Sequence, residues 1–109
     1  MKAQIHNYSC WINETNPTIL YDMFMEKLNK AGFGVENVLE KHFYPVGYTA
    51  LFLLSESHFA IHTFPEENQT YIELSSCIKT PFCGFKKWRI DKPKLSVKPK
   101  TQKYTQCLN

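Results

Sequence analysis

Residues 56 to 77 combine side chains that can cleave and modify a peptide bond. The run LLSESHFAIHTFPE (residues 53–66) contains the bond Glu56–Ser57, a histidine at His62 and an acid at Glu66, and Cys77 closes the next apolar run. The Ser57 hydroxyl can attack the carbonyl of the preceding residue. An imidazole can act as a base near neutral pH. With a thiol also nearby, this set predicts conversion of a serine into a pyruvoyl group.

The predicted chemistry begins at the Glu56–Ser57 bond. Attack by the Ser57 hydroxyl on the Glu56 carbonyl would convert the amide to an ester. Loss of the Ser57 α-proton would then expel the Glu56 carboxylate and leave dehydroalanine, and hydrolysis would release ammonia and leave a ketone. A substrate amine can condense with that ketone as a Schiff base, which withdraws electrons from a breaking carboxylate bond as pyridoxal phosphate does.

Residues 56–66 read ESH-xxx-HT-F-PE, and a strand that ends in cysteine follows them. This arrangement resembles the prokaryotic class of S-adenosylmethionine decarboxylase proenzymes. The resemblance covers residues 40–78 closely and residues 1–39 loosely, and it fades beyond Cys77. It implies self-cleavage between Glu56 and Ser57, with His62 taking the α-proton during processing. It also implies decarboxylation of S-adenosylmethionine, which feeds aminopropyl groups to polyamine (spermidine) synthesis.

Cys77 has the spacing of a catalytic cysteine in this family. The family places a cysteine twenty residues after the modified serine, where it donates a proton to the decarboxylated carbon. A free cysteine on its own is more often a buried small hydrophobe. The family motif usually reads Thr-Cys-Gly, whereas this chain has Ser76-Cys77-Ile78. The resemblance therefore implies the donor role but a different loop after it.

Four further positions carry expectations from the resemblance. Glu66 would hold the ribose hydroxyls of the substrate, while Phe43 and Phe64 would flank its adenine. Phe64 replaces the tryptophan that is commoner before Pro-Glu, and a phenyl ring still offers a flat face for stacking. Thr49 is a weaker candidate for a hydroxyl that assists processing. By themselves, such an acid and such rings are also ordinary turn and core residues.

Other hypotheses remain open from the sequence. The same ketone could decarboxylate arginine or ornithine, or the chain could be a non-catalytic relative that regulates a true decarboxylase. A Cys–His hydrolase using Cys77 and His62 would need an oxyanion hole and an orienting group that the sequence does not identify. Nucleic-acid binding is disfavoured because aromatic residues are not interleaved with the basic ones, except near Trp88.

Length and composition predict one domain that gains from pairing with a copy of itself. The longest apolar stretch, Ala50–Leu54, is too short to span a bilayer, and the N-terminus has no apolar signal core, so a cytoplasmic protein without membrane association is expected. The four cysteines match no zinc pattern, and free thiols and no metal cofactor are expected.

Charge divides the chain into two parts. Residues 1–85 hold five lysines against nine acids, whereas residues 86–109 hold eight basic residues and one acid. The net negative charge of residues 1–85 favours a cationic amine substrate. The basic residues of 86–109 are also typical of a solvated tail without a binding role. We therefore expect a decarboxylase-like domain at 1–85 and a basic tail at 86–109. That tail is shortened relative to the family and shows neither helix nor strand.

The hydrophobic pattern predicts an α+β fold, a two-layer sandwich of an antiparallel sheet with a helix on one face. Asn16-Pro17 opens the helix, and Gly32 and Gly34 end it. Predicted strands cover residues 3–11, 35–42, 48–54, 59–64 and 70–78, with a loop at 43–47 and a turn at 65–69. Alternation then places His62, Phe64, Glu73 and Cys77 on the face away from the helix. A second copy of the chain is the simplest cover for that face, so a homodimer is expected.

Overall fold

The computed structural model describes residues 4–77, 85 and 97–98. In chain order its elements are β1 (His6–Ile12), α1 (Pro17–Ala31), β2 (Val35–His42), β3 (Tyr48–Leu54), β4 (Ser57–Phe64), a 3₁₀ turn (Pro65–Glu67), β5 (Gln69–Ser76) and β6 (Val97–Lys98). The described strands form an antiparallel sheet in the order β2-β3-β4-β5-β1-β6.

Helix α1 begins and ends where its capping residues predict. The Asn16 side chain accepts a hydrogen bond of 3.1 Å from the Ile19 amide, and Pro17 occupies the first turn, where its missing N–H costs nothing. At the other end Gly32 adopts a left-handed conformation with φ of 101°, which a residue with a Cβ would resist. The two caps therefore fix the bounds of the helix.

The core lies between α1 and one face of the sheet. Alternate residues of the four inner strands point toward the helix and are buried there with Phe33, Phe85 and the apolar side of α1. Phe24, Phe59 and Phe85 form an aromatic cluster, with ring centroids 4.9 to 6.1 Å apart. The fold-class prediction of an antiparallel sheet with a helix on one face is confirmed.

Strand β4 begins two residues earlier than the sequence pattern predicts. Ser57 and His58 pair with Ser76 and Ser75 of β5, so the ladder extends past Phe59 to the predicted cleavage site. The polar residues Ser57 and His58 mask this extension in the hydrophobic pattern. Ser57 is therefore a strand residue, and Glu56 is the last residue of the short β3–β4 connection.

The face away from the helix, called the open face below, contains polar and aromatic side chains in cross-strand rows. One row crosses four strands through Thr49, His62, Tyr71 and Trp11. Toward the Ser57 end the open face is more apolar, and Leu39, Leu51 and Leu53 are 44 to 69% exposed there. The predicted position of His62, Phe64 and Glu73 on this face agrees with the register, whereas Cys77 lies just past the end of β5.

The loop between β2 and β3 is closed by its own backbone. The Phe43 amide donates a hydrogen bond of 2.8 Å to the carbonyl of Gly47, whose φ is 119°. A side chain at position 47 would be strained by that φ and would contact Phe43. The loop therefore presents Phe43 in a defined place beside the start of β3.

The C-terminal segment contributes a strand that the sequence pattern does not predict. Val97 and Lys98 pair with Ile12 and Trp11 and form β6 at the edge of the sheet. Two paired residues are too few for a hydrophobic alternation to be recognised, and prolines at 93 and 99 bracket them. The remaining predictions for residues 86–109 lie outside the described residues, and the domain division at residue 85 stays a prediction.

Candidate active site

The predicted scissile carbonyl is held by Cys77. The Cys77 thiol donates to the Glu56 carbonyl oxygen at 2.8 Å, and the Cys77 backbone amide lies 3.4 Å from the same oxygen. The Cys77 Sγ is also 3.8 Å from the Glu56 side-chain Oε1. Two donors on one carbonyl oxygen draw electron density from the carbonyl carbon and would stabilise an oxyanion there. This arrangement suits attack at the Glu56 carbonyl.

The Ser57 hydroxyl lies on the helix side of the sheet. It donates a hydrogen bond of 2.8 Å to the hydroxyl of Ser76, its cross-strand neighbour on β5. Ser57 is half-buried and Ser76 is 1% exposed. The predicted nucleophile is thus fixed at the end of the sheet, one residue from the carbonyl that Cys77 contacts.

His62 lies far from Ser57 within one protomer. Both residues belong to β4 and are separated by five strand residues, which corresponds to about 16 Å. An odd separation along a strand also places the two side chains on opposite faces. The proximity of base and nucleophile that their sequence spacing suggests is therefore absent within a single chain.

His62 has a partner in Thr49, the weaker of the sequence candidates. The Thr49 hydroxyl and the His62 Nδ1 are 3.1 Å apart across the β3–β4 ladder. The imidazole also stacks on Tyr71, with centroids 6.4 Å apart and planes inclined by 22°. These contacts orient the ring and leave Nε2 as the nitrogen available to another group.

The predicted substrate residues cluster near the His62 end of the sheet. Phe43 lines a cavity of about 380 Å³ together with His42, Thr63 and Pro65. The Lys41 ammonium lies 5.9 Å from the centroid of the Phe43 ring. Phe43 is half exposed, so one part of its ring remains open to a ligand.

Phe64 and Glu66 occupy different surroundings from Phe43. Phe64 packs on Trp11 on the open face, with ring centroids 5.5 Å apart. Among the described residues no ring contact joins Phe43 to Phe64, so the pair does not form a ready-made slot for adenine. Glu66 is exposed in the 3₁₀ turn just beyond β4. Its carboxylate is therefore accessible to a ligand, and it makes no hydrogen bond or ion pair within the described part of the chain.

Two side chains with strongly shifted pKa values are structural. Burial raises the pKa of the Cys10 thiol to about 12, which keeps it neutral and unreactive. Burial, and then the hydrogen bond that Tyr48 donates to Glu40, raise the pKa of Tyr48 above its usual range. Cys77, by contrast, is the exposed one of the two described free cysteines. The chemically accessible thiol is therefore the one on the Glu56 carbonyl.

A model of the S-adenosylmethionine decarboxylase family matches residues 8–88. The chain belongs to this family. The match includes Glu56, Ser57, His62 and Cys77, so the motif lies inside the region that the family model matches. The family assignment predicted from the sequence is confirmed.

Curated relatives match shorter segments. An S-adenosylmethionine decarboxylase proenzyme 2 from Bacillus cereus is 51% identical over 47 residues, which is 43% of this chain and 38% of that protein. A protein of the same name from Halalkalibacterium halodurans is 31% identical over 71 residues, 64% of this chain and 56% of that protein. The matched segments thus span about four to six tenths of these relatives' lengths.

A solved structure supports the fold over the whole chain. The crystal structure of an adenosylmethionine decarboxylase from Aquifex aeolicus superposes with a TM-score of 0.67 and 13% sequence identity, covering 100% of this chain and 98% of that one. At 13% identity this similarity supports the fold alone, and any chemistry must be argued from the residues of this chain.

Two residues in the same cross-strand row as Ser57 were not predicted from the sequence to belong to the site. Ser76 contacts the nucleophile directly, and His6 stands opposite Ser76 at the start of β1. Ser76 was visible as a hydroxyl where the family usually has threonine, but its bond to Ser57 depends on strand register. His6 offered no signal, because a lone histidine before an apolar strand is common.

Within residues 4–77 and the other described positions, no cluster of three or more histidines, cysteines or acids could hold a metal ion. In the same part of the chain, α1 is neither long nor apolar enough to cross a membrane.

Proposed function

We propose that this protein is a self-processing, pyruvoyl-dependent decarboxylase of S-adenosylmethionine that supplies the aminopropyl donor for spermidine synthesis. The observation that carries the proposal is the pair of Cys77 donors on the Glu56 carbonyl, next to a fixed Ser57 hydroxyl. The amide continues the antiparallel β4–β5 pairing by one residue, whereas the thiol is a second donor that strand pairing does not supply. Family membership supports the same assignment.

Processing starts with attack of Ser57 Oγ on the Glu56 carbonyl carbon. The carbonyl electron pair moves to the oxygen, where the Cys77 thiol and amide stabilise the charge. Collapse breaks the bond to the Ser57 nitrogen, which takes up a proton, and leaves an ester. A base then removes the Ser57 α-proton, and the Glu56 carboxylate leaves with the former Ser57 oxygen. Tautomerisation and addition of water release ammonia and complete the pyruvoyl group.

When formed, the pyruvoyl group supplies a carbonyl that withdraws electrons from the carboxylate bond of a bound amino acid. The chain fits such a group at residue 57, because Cys77 already contacts the adjoining residue and is exposed on the side that a substrate would approach. In turnover the Cys77 thiol donates a proton to the carbon that loses CO₂. One thiol thus serves first at the Glu56 carbonyl and later at the substrate.

The base that removes the α-proton is His62 of a second copy of the chain. Within one protomer His62 is about 16 Å along β4 from Ser57 and on the other face. The Thr49–His62 pair is nevertheless oriented and half-buried, as a catalytic pair would be. A symmetric dimer would bring such a base to Ser57 despite the distance within one protomer. Each site would then combine Ser57 and Cys77 of one protomer with the partner's His62.

The open face is the surface that such a dimer would bury. Leu39, Leu51 and Leu53 line an exposed apolar groove of about 300 Å³ on that face near its Ser57 end. Two sheets stacked face to face lie about 10 Å apart. A two-fold axis running across the strands would set the Ser57 end of each protomer over the His62 end of the other. The homodimer expected from the sequence is thereby proposed with a defined geometry.

The same proposed dimer supports roles for the predicted substrate residues. Phe43 and Glu66 flank the His62 end of the sheet, so they would reach the pyruvoyl group from the partner protomer. The open part of the Phe43 ring offers a stacking surface for adenine, and the exposed Glu66 carboxylate can accept hydrogen bonds from ribose hydroxyls. Phe64, which packs on Trp11, would border the site from the open face.

Mixing two inactive variants tests the composite site. Ser57→Ala and His62→Ala homodimers are each expected to release no CO₂ from S-adenosylmethionine. After joint refolding, activity should return to about one quarter of wild type, because half of randomly paired dimers are mixed and each has one complete site. In the mixture the cleaved chain should be the one carrying His62→Ala, which differential tagging and mass spectrometry would identify.

A control separates this result from simple exchange of chains. Refolding Ser57→Ala with a Ser57→Ala/His62→Ala double variant leaves no complete site and should restore nothing. If the mixture of single variants stays inactive while sedimentation shows mixed dimers, the shared site is wrong. Assays with arginine and ornithine alongside S-adenosylmethionine decide whether the substrate assignment holds independently.

A further inference from the structure

A row of three polar side chains crosses the helix side of the sheet at the processing end. Ser57 of β4 stands opposite Ser76 of β5, and Ser76 stands opposite His6 of β1. His6 is 3% exposed and Ser76 is 1% exposed, in a layer where the neighbouring positions are apolar. Burying an imidazole and a hydroxyl costs free energy unless they have partners. Two buried polar side chains thus follow Ser57 in one cross-strand row.

The register places each side chain opposite its neighbour in the row, with Ser76 between Ser57 and His6. Residues directly opposite in an antiparallel pair have Cβ atoms about 4.5–5.5 Å apart on the same face. The Ser57 hydroxyl already donates to Ser76 Oγ at 2.8 Å, so Ser76 acts as acceptor toward Ser57 and its own proton must point elsewhere. The imidazole of His6 lies on the other side of Ser76 in the row.

We propose that Ser76 and His6 form a buried relay that takes the proton from the Ser57 hydroxyl during self-cleavage. The proposal rests on the proposed function, since it gives the base for its first step. The partner's His62 does not meet this need, because it would approach from the open face, whereas the Ser57 hydroxyl lies on the helix side, and because it acts on the α-proton in the second step. In this relay Ser76 contacts the reacting Ser57 hydroxyl and His6 acts through Ser76, and both residues serve self-cleavage rather than turnover.

The relay balances in protons and electrons. As Ser57 Oγ forms a bond to the Glu56 carbonyl carbon, its proton passes to Ser76 Oγ while the Ser76 proton passes to the His6 imidazole. The carbonyl electron pair moves to the oxygen that Cys77 holds. When the carbon–nitrogen bond breaks, the imidazolium proton returns through Ser76 to the Ser57 nitrogen. The step ends with an ester, a free amine and a neutral imidazole.

Processing and turnover respond differently if the relay exists. The oxygen of Ser57 leaves with Glu56 during cleavage, so in the mature enzyme the relay has no hydroxyl to serve. Ser76→Ala should slow cleavage of freshly refolded precursor by about 10²-fold, in the range of a positioned base. Once cleaved, that variant should turn over S-adenosylmethionine within about twofold of wild type per pyruvoyl group. A merely structural role would reduce both rates.

Conservative variants and a matched control complete the test. Ser76→Thr keeps a hydroxyl and should cleave at close to the wild-type rate. His6→Gln keeps hydrogen-bonding capacity but cannot accept the proton, and its effect should not add to that of Ser76→Ala. Ser75→Ala, on the same strand but facing the other way, should cleave normally.

The outcomes distinguish the relay from the function it rests on. Normal cleavage of Ser76→Ala, failure of Ser76→Thr to restore the rate, or additive effects of the Ser76 and His6 variants would overturn the relay while the decarboxylase assignment stands. A wild-type chain that never cleaves would overturn both.

Discussion

Replacing Ser57 with alanine is expected to leave a single uncleaved chain and to reduce CO₂ release from S-adenosylmethionine to background. Alanine has no hydroxyl to attack the Glu56 carbonyl, so neither the ester nor the pyruvoyl group can form. Within the described part of the chain, the Ser57 hydroxyl hydrogen-bonds to Ser76, and loss of this one surface-end hydrogen bond should leave the fold intact. Denaturing electrophoresis after prolonged incubation would measure the first effect and trapping of released CO₂ the second.

Ser55 provides a matched control two residues away. Its hydroxyl is exposed and donates to the Glu36 carboxylate at 3.0 Å, outside the cluster around the Glu56 carbonyl. Ser55→Ala should therefore cleave and turn over like wild type. Cleavage of the Ser57→Ala chain between residues 56 and 57 would show that a nucleophile other than the Ser57 hydroxyl attacks the Glu56 carbonyl.

Cys77→Ala is expected to lose most turnover while retaining some processing. The variant removes the thiol at 2.8 Å from the Glu56 oxygen but keeps the backbone amide at 3.4 Å, so one of two donors remains for self-cleavage. Turnover loses its proton donor, and kcat per pyruvoyl group should fall by about 10²–10⁴-fold. Cleavage kinetics and CO₂ release, measured on the same preparation, would separate the two effects.

Cys10 is the control for this change. It is 1% exposed on the helix side of β1, and its raised pKa keeps it neutral. Cys10→Ala removes a buried sulfur and should lower the unfolding temperature without changing turnover per pyruvoyl group. Full turnover by Cys77→Ala would remove the thiol from the mechanism.

Much of the fold was accessible from local patterns. The strands at 35–42 and 48–54 and the helix between Asn16 and Gly32 follow from alternation and capping, which are properties of neighbouring residues. The early start of β4 and the two-residue β6 were missed. Both depend on pairing with a distant strand, and polar or very short segments leave no hydrophobic period.

The sequence indicated candidate residues for the site but not their arrangement, and the roles of these residues stay predictions. The motif singled out Ser57, His62 and Cys77, yet sequence spacing suggested that the base lies beside the nucleophile. An extended strand instead separates positions 57 and 62 by about 16 Å and turns them to opposite faces. Cys77, twenty residues from Ser57, is the one that register returns to the Glu56 carbonyl.

The intact mass of the purified wild-type protein tests the central claim most directly. The account predicts two chains, residues 1–56 and residues 57–109. The second should be lighter by the mass of ammonia than the same chain with an N-terminal serine, and blocked to Edman degradation. A single chain with the unmodified mass of all 109 residues after long incubation would contradict the assignment.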